Sequence, residues 1–343
     1  MTRPAAKTNA FSTETKATPD RPQCSRTSPA ATEMQKESAA TCRPDNAELH
    51  ELPEFLHDRY NCTAFVADDP VAIPHDYTSR EDIEISGFLA ATIAWGKRPM
   101  IVTNGRRLME RMDRAPYDFV LNASERELGA LAGFVHRTFN DGDCIDFIRA
   151  LRPFYAHSGS AHHPAGISRP ALSPIGLPAE PVMDAAGATP QSQRTEPRSG
   201  LGGFFEREYA VCGDMRIVLS RFRTAFWQNE HRTRAEKHLA SIDRGASCKR
   251  LNMFLRWMVR RDDRGVDFGL WPGIPASALY LPLDVHTSNV ARALGLLARK
   301  QNDWRAVEEV TASLRRFDPA DPVKYDYALF GAGMDGKLKP MKN

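Results

Sequence analysis

Two short segments of the chain place a lysine and an aspartate at predicted helix starts. Lys249 opens one helix, and Asp284 lies in segment 281–292, between a loop and the next helix. A partly desolvated lysine amine can attack an electrophilic carbon and form a Schiff base. A carboxylate held at a helix start can stabilise developing positive charge or activate a nucleophile. The pair therefore predicts nucleophilic chemistry at the anomeric carbon of a sugar.

Each of these residues also has a simpler interpretation. Most lysines are solvated surface side chains. An aspartate that precedes a helix is often an N-cap, whose carboxylate accepts backbone N–H bonds. For Asp284 the two roles are compatible, since one geometry serves both. The sequence leaves both interpretations of Lys249 and Asp284 open.

The elements around these residues are predicted to be helices. Ser124 and Glu127 have the spacing of a capping box, and strand patterns are scarce. We therefore predict an all-α fold, a compact array of about ten short helices. Apolar residues at helical spacing predict helices over 81–96, from Pro99 onward, 143–157, 204–209, 215–227, 234–242, 247–259, 285–297, 303–317 and 322–330.

Two stretches of the chain lack the large apolar residues that a core requires. Residues 1–46 are rich in Thr, Ser, Pro and Ala, and residues 158–203 contain scattered Pro and Gly without helical or strand period. Burial in such segments cannot offset the entropy cost of ordering them. We predict a disordered tail over 1–46, a first helical block over 47–157, a disordered insertion over 158–203 and a second helical block over 204–337.

The composition also narrows the class of protein. No segment has the roughly 20 consecutive apolar residues of a membrane-spanning helix, and the N-terminus lacks an apolar signal segment. The six cysteines are scattered without paired spacing, which predicts reduced thiols and no zinc or iron–sulfur site. We expect a cytoplasmic monomer that has no membrane partner.

Positive charge is concentrated in one part of the chain. Residues 215–264 contain thirteen Arg or Lys against five acids, although the whole chain has a net charge of only +3. Such a concentration suits a polyanion such as nucleic acid. The alternative is a solvated helix face whose charges are paired in salt bridges. Charge alone does not decide between them.

The motifs in this order resemble those of the helix-hairpin-helix (HhH-GPD) DNA glycosylase superfamily, the endonuclease III and 8-oxoguanine glycosylase group. Segments 245–249 and 281–286 are similar to the hairpin that ends in the nucleophilic lysine and to the segment that supplies the catalytic aspartate. Segments of the same superfamily are also similar to residues 82–96, 122–128 and 318–331. At closer range, residues 47–335 resemble a bacterial family known mainly by its sequence.

The resemblance implies a multi-helix glycosylase-like fold and a DNA-binding enzyme of base excision repair that removes a damaged or modified base. Lys249 would be the nucleophile, with or without strand-cleaving lyase activity, and Asp284 the catalytic carboxylate. The partner would be lesion-bearing double-stranded DNA, and no metal or organic cofactor is called for. The residues predicted to contact DNA or the base are Arg250, Arg256, His286, Arg137, Phe139, Phe268 and Trp271.

The chain also departs from the superfamily pattern. Of the hairpin glycines only Gly245 remains, with Ser247 where the second would stand, so a close backbone approach to phosphate is less assured. No cysteine follows Cys248, which excludes the C-terminal iron–sulfur cluster of endonuclease III. Two alternatives stay open: a non-catalytic nucleic-acid-binding protein on the same scaffold, and an enzyme acting on RNA or free nucleosides.

Overall fold

The structure, a computed structural model, describes residues 54, 55, 57, 58, 61–156 and 199–334. The described part of the chain is mostly helical, as the sequence predicts. The α-helices are α1 Thr63–Val66, α2 Arg80–Thr92, α3 Arg98–Glu110, α4 Pro116–Asn122, α5 Glu125–Leu128, α6 Asp141–Tyr155, α7 Gly200–Cys212, α8 Met215–Phe226, α9 Lys249–Val259, α10 Val285–Ala293, α11 Trp304–Leu314 and α12 Asp326–Met334.

Shorter elements connect these helices. An antiparallel hairpin of β1 Val135–His136 and β2 Phe139–Asn140 precedes α6. The 3-10 turns are Pro70–Ala72, Pro74–Asp76, Gly129–Leu131, Thr233–His238, Ala276–Ala278 and Pro322–Tyr325. Within the described ranges, no helix has the length and apolar character needed to cross a membrane.

Several predicted elements need correction. The helix predicted over 234–242 is instead a 3-10 turn that covers Thr233–His238, and residues 135–140 form the β1–β2 hairpin, which the sequence did not predict. The helix predicted over 322–330 begins as a 3-10 turn and becomes α-helical at Asp326. The predicted tail 1–46 and residues 158–198 of the predicted insertion lie outside the described residues.

The end of the predicted insertion belongs to a helix. Gly200 and Gly202 lie in the first turn of α7, although the sequence predicted that both belong to a disordered insertion. A Cβ at Gly202 would lie 2.3 Å from Arg80 Nη2 and 2.4 Å from Trp271 Nε1. The glycines therefore allow close packing at this position, and the prediction failed because it took them as a sign of flexibility.

The core is organised around α2. Its residues from Ile83 to Thr92 are buried, and α2 packs along α9. Phe88 lies in an aromatic cluster with Phe147, Phe222 and Phe254. Burying such a side chain contributes about 1.5–3 kcal/mol. Because this cluster includes residues on both sides of the predicted insertion, the two helical blocks share one core.

A buried carboxylate stabilises the packing of α2 against its neighbours. Glu84 accepts hydrogen bonds from Trp271 Nε1 at 2.8 Å, Tyr155 Oη at 2.9 Å and Arg80 Nε at 2.9 Å. Burial raises the pKa of Glu84, and the neighbouring Arg80 charge and the hydrogen bonds oppose that shift. Glu84 thus joins α2, α6 and the loop that contains Trp271.

The second half of the chain brings α9, α10 and α12 together. α12 packs along α10, and this contact is close: a Cβ at Gly333 would lie 3.2 Å from the Cβ of His286. Trp304, at the start of α11, donates its backbone N–H to Gly245 at 2.9 Å, which holds the turn before α9. The beginnings of α9 and α10 are thereby fixed against the same part of the core.

Candidate active site

The turn before α9 fixes the position of Lys249. Cys248, the N-cap residue of α9, has a left-handed backbone with φ of 48°, and Gly245 has φ of 77°. Ala246 forms a β-bridge with Asp303, at the start of α11. A tight turn therefore delivers Lys249 as the first residue of α9, where the helix dipole adds positive potential.

Asp284 is the N-cap of α10. Its Oδ1 accepts the backbone N–H of Thr287 at 2.9 Å, which confirms the capping interpretation. Its Oδ2 lies 4.0 Å from Nζ of Lys249, and the two side chains are 24% and 26% exposed, respectively. One carboxylate oxygen thus caps the helix while the other faces the amine, so capping and chemistry can coexist in this residue.

Lys249 and Asp284 lie in a cleft with a volume of about 740 Å³. Its lining includes five Lys or Arg side chains and three carboxylates, so cations predominate. The cleft is lined by Asp69, Pro70, Ala94, Trp95, Gly96, Lys97, Arg98, Pro99, Ile101, Lys249, Arg250, Met253, Arg256, Trp257, Asp284, Val285, His286, Asp326, Tyr327 and Phe330.

One face of α9 contributes a large part of this lining. Lys249, Met253, Arg256 and Trp257 recur at helical spacing and all border the cleft. Trp257 is fully buried, and its Nε1 has no hydrogen-bond partner among the described residues. Such an unsatisfied donor costs about 1–3 kcal/mol. A ligand that carries an acceptor group would relieve this cost if it reached the indole.

Arg250 and His286 also line the cleft, as expected of residues that contact a substrate. The Arg250 guanidinium donates to the carbonyl oxygen of Thr92 and lies 4.8 Å from the ring centre of Trp95. Burial lowers its pKa to about 10, which leaves it cationic at neutral pH. His286 is exposed and contacts the ring of Phe330 edge-on, with ring centres 6.1 Å apart.

Arg256 requires a correction. It was predicted to contact DNA or the base, but it is 1% exposed and its guanidinium forms ion pairs with Asp267, at 3.2 Å, and with Asp326. Its Nε, Nη1 and Nη2 all donate to these carboxylates. The residue is therefore an internal cation of the fold. Sequence reasoning did not identify these partners, which lie 11 and 70 positions away.

Three aromatic residues that were predicted to contact DNA or the base lie outside the cleft. Phe139 is fully buried against Phe147 and His238. Trp271 is fully buried and donates to Glu84. Phe268 is half-buried and packs on another ring. None of the three is among the cleft-lining residues in the described chain, so the structure does not bring them to Lys249.

Arg137 lies at the edge of the cleft. It is exposed and has a left-handed backbone with φ of 55° in the hairpin turn. A Cβ at Gly96 would lie 3.2 Å from its Nη1, so the guanidinium reaches a cleft-lining residue. Lys97 is exposed next to Gly96. The rim of the cleft is therefore cationic at this end.

Trp95 forms part of the cleft wall and was not among the residues predicted from the sequence. Trp95 is half-buried, with His136 against it edge-on at 5.1 Å and His238 stacked at 5.7 Å between ring centres. Burial lowers the pKa of both histidines, although Asp143 opposes this shift at His238. No clear signal pointed to Trp95, because it falls inside the helix predicted over 81–96, whereas α2 ends at Thr92.

The basic run 215–264 is largely neutralised within the protein. In the described residues nine of its thirteen cations form ion pairs with carboxylates. The paired residues are Arg216, Arg221, Arg223, Arg232, Arg234, Lys249, Arg256, Arg260 and Arg264. The salt-bridged interpretation therefore accounts for most of the run. Among the described residues, no carboxylate forms an ion pair with Arg250, which lines the cleft.

In the described ranges, no three His, Cys, Asp or Glu side chains are grouped closely enough to hold a metal ion. Cys62, Cys144, Cys212 and Cys248 are free thiols. Cys24 and Cys42 lie outside the described residues.

Comparison with known proteins gives a family but no named activity. No curated protein and no solved structure matches the chain. A family model described as a protein of unknown function, DUF2400, matches residues 69–165 and 191–335. These matched ranges include Lys249, Asp284 and the residues of the cleft. The chain belongs to the DUF2400 family.

Proposed function

We propose that this protein is a DNA glycosylase-like enzyme with an HhH-GPD-like fold, which removes a damaged or modified base and can form a Schiff base with the sugar. The observation that supports this proposal is the 4.0 Å approach of Lys249 Nζ to Asp284 Oδ2 inside a cleft of about 740 Å³. Pockets for small organic ligands have volumes of about 300–1,000 Å³. The cleft is therefore large enough for one extruded nucleotide.

The charge around the cleft suits a nucleic-acid backbone. Arg250 in its lining, together with Lys97 and Arg137 at its rim, would contact phosphates, which position the substrate without reading its sequence. Extruding the target nucleotide costs a few kcal/mol and costs least for a damaged or mismatched base.

The proposed reaction uses the amine and the carboxylate in sequence. The neutral amine of Lys249 forms a bond to the anomeric carbon while the bond from that carbon to the base breaks. The base leaves with the bonding electrons and takes up a proton. Asp284 stabilises the positive charge on the sugar or accepts the proton that Lys249 must lose before it attacks. The bond from the anomeric carbon to the ring oxygen then breaks, the oxygen takes up the proton lost by the attached nitrogen, and a protonated Schiff base remains.

The test is borohydride trapping on a panel of lesion-bearing duplexes, with single-stranded RNA and free nucleosides as further arms. We expect a covalent complex with at least one duplex. Lys249→Gln removes the amine and should abolish trapping, whereas Asp284→Asn keeps a capping side chain and should slow trapping strongly. If the parent binds every lesion and processes none, the chain is a binding protein on this scaffold. If only RNA or free nucleosides are processed, the substrate is one of these and not lesion-bearing DNA.

A further inference from the structure

A third carboxylate borders the cleft that contains Lys249 and Asp284. Asp326 is the first residue of α12, and the 3-10 turn Pro322–Tyr325 leads directly into it. The packing of α12 along α10 brings it towards Asp284. Its side chain is 11% exposed and is among those that line the cleft. One lysine therefore has two carboxylates in its surroundings.

Behind Asp326 lies a buried cluster in which acids outnumber cations. Arg256 is shared between Asp326 and Asp267. Arg260 also pairs with Asp267, and it pairs in addition with Asp262 and Asp321. Two guanidinium groups thus form ion pairs with four carboxylates. Like charges at close range disfavour full ionisation, so a cluster of this composition favours retention of a proton near neutral pH.

Burial favours the protonated form of two members of the cluster, Asp321 and Asp326, and of these two Asp326 lines the cleft. Burial raises the pKa of Asp326 to about 6. The charges of Arg256 and Lys249 oppose the rise, and those of Asp284 and Asp267 add to it. Asp284 has a different environment, because it accepts the backbone N–H of Thr287 as a helix cap. Two carboxyl groups in one site with different environments are the usual basis for separate acid and base roles.

We propose that Asp326 is the general acid of this cleft and delivers a proton to the base as the base leaves. The inference rests on the proposed function. As the bond between the anomeric carbon and the base nitrogen breaks, the electron pair stays on the base. The Asp326 carboxyl transfers its proton to the base, and the resulting carboxylate is stabilised by Arg256. Solvent restores the proton after the product leaves.

The test separates departure of the base from Schiff-base formation. Its first substrate is a duplex that contains the neutral base excised fastest by the parent protein. Its second is a duplex with a preformed aldehydic abasic site, from which no base has to leave. Asp326→Asn keeps an acceptor for Arg256 but has no acidic proton. The matched control is Asp321→Asn, which changes a carboxylate of the same cluster that is not among the cleft-lining residues.

We expect Asp326→Asn to slow single-turnover excision on the order of 100-fold, as loss of a general acid does. Trapping on the abasic duplex should continue at the parent rate in both variants. Asp321→Asn keeps the acid but removes one carboxylate of the cluster, so its excision rate should still fall with rising pH, at a lower pH than in the parent. The parent rate should fall as the pH rises above about 6, because the acid form is lost. In Asp326→Asn this fall should be absent.

Other outcomes identify which inference fails. Parent-like excision and pH dependence in Asp326→Asn would overturn the general-acid role while leaving the proposed function intact. Loss of trapping on the abasic duplex in this variant would also overturn it, since Asp326 would then act through Lys249 or the fold. A parent protein that traps on neither duplex would contradict the proposed function itself.

Discussion

Replacing Arg256 tests the internal role that the structure gives to this side chain. Arg256→Met has a similar volume but removes the charge shared by Asp267 and Asp326, whose side chains are 0% and 11% exposed. Removing one partner of a buried ion pair costs about 3–5 kcal/mol, because the other charge stays buried without compensation. Native domains are stable by only about 5–15 kcal/mol. We therefore expect a large loss of stability from this one substitution.

The assay is urea unfolding near neutral pH, with the free energy extrapolated to water. The double variant Arg256→Met, Asp267→Leu removes both buried charges of one pair and should recover part of the lost stability. Arg250→Met is the matched control, because its guanidinium lines the cleft and hydrogen-bonds a carbonyl. It should change stability by about 1 kcal/mol and weaken DNA binding.

The opposite pattern would refute this account of Arg256. If Arg256→Met unfolds at the parent urea concentration while losing affinity for DNA, the guanidinium must be available to phosphate. The ion pairs with Asp267 and Asp326 would then be wrong, and the contact that the sequence suggested would be right. Destabilisation of the double variant by the full sum of the single effects would also show that the pair is not coupled.

Three further predictions address the cap, the core and the histidines. In urea unfolding, Asp284→Ala should cost about 1 kcal/mol and Asp284→Asn much less, since asparagine still caps; equal losses would contradict this. Trp271→Phe removes one donor to Glu84, so it should cost about 1–3 kcal/mol without altering trapping; lost trapping at full stability would implicate Trp271 in the cleft. Burial lowers the pKa of His57 to about 4 and also lowers that of His238. The unfolded state therefore binds more protons, and stability present near pH 7 should fall as the pH drops from about 6.5 towards 4. His238→Gln should make that fall shallower, and an unchanged slope would argue against the assignment.

The features that sequence predicts well here are local. Helical spacing located α2, α8 and α9 to within a few residues, because an apolar stripe is set by neighbours three and four positions apart. The capping box of Ser124 and Glu127 is confirmed for the same reason. The approach of Lys249 to Asp284 followed from the resemblance of two motifs and not from periodicity.

The features that sequence did not reveal depend on contacts between distant segments. Arg256 looks like a surface cation until α12 places Asp326 against it. Trp95 looks like a core aromatic until α9 brings Arg250 over its ring. The carboxylate partners of the basic run come largely from other elements, so a count of charges along the chain overstated the positive surface. Tertiary pairing of this kind has no signature in a single sequence.

The closeness of Tyr155 and Gly200 has a consequence for how the chain can be altered. A methyl group added at Gly200 would lie 2.8 Å from the Tyr155 ring and 2.7 Å from Glu84 Oε2. The end of α6 and the beginning of α7 therefore already meet at one carboxylate. Because loop-closure entropy changes slowly with length, a short Gly-Ser bridge in place of 166–190, the stretch that the family match leaves out, should leave folding and the cleft unaffected.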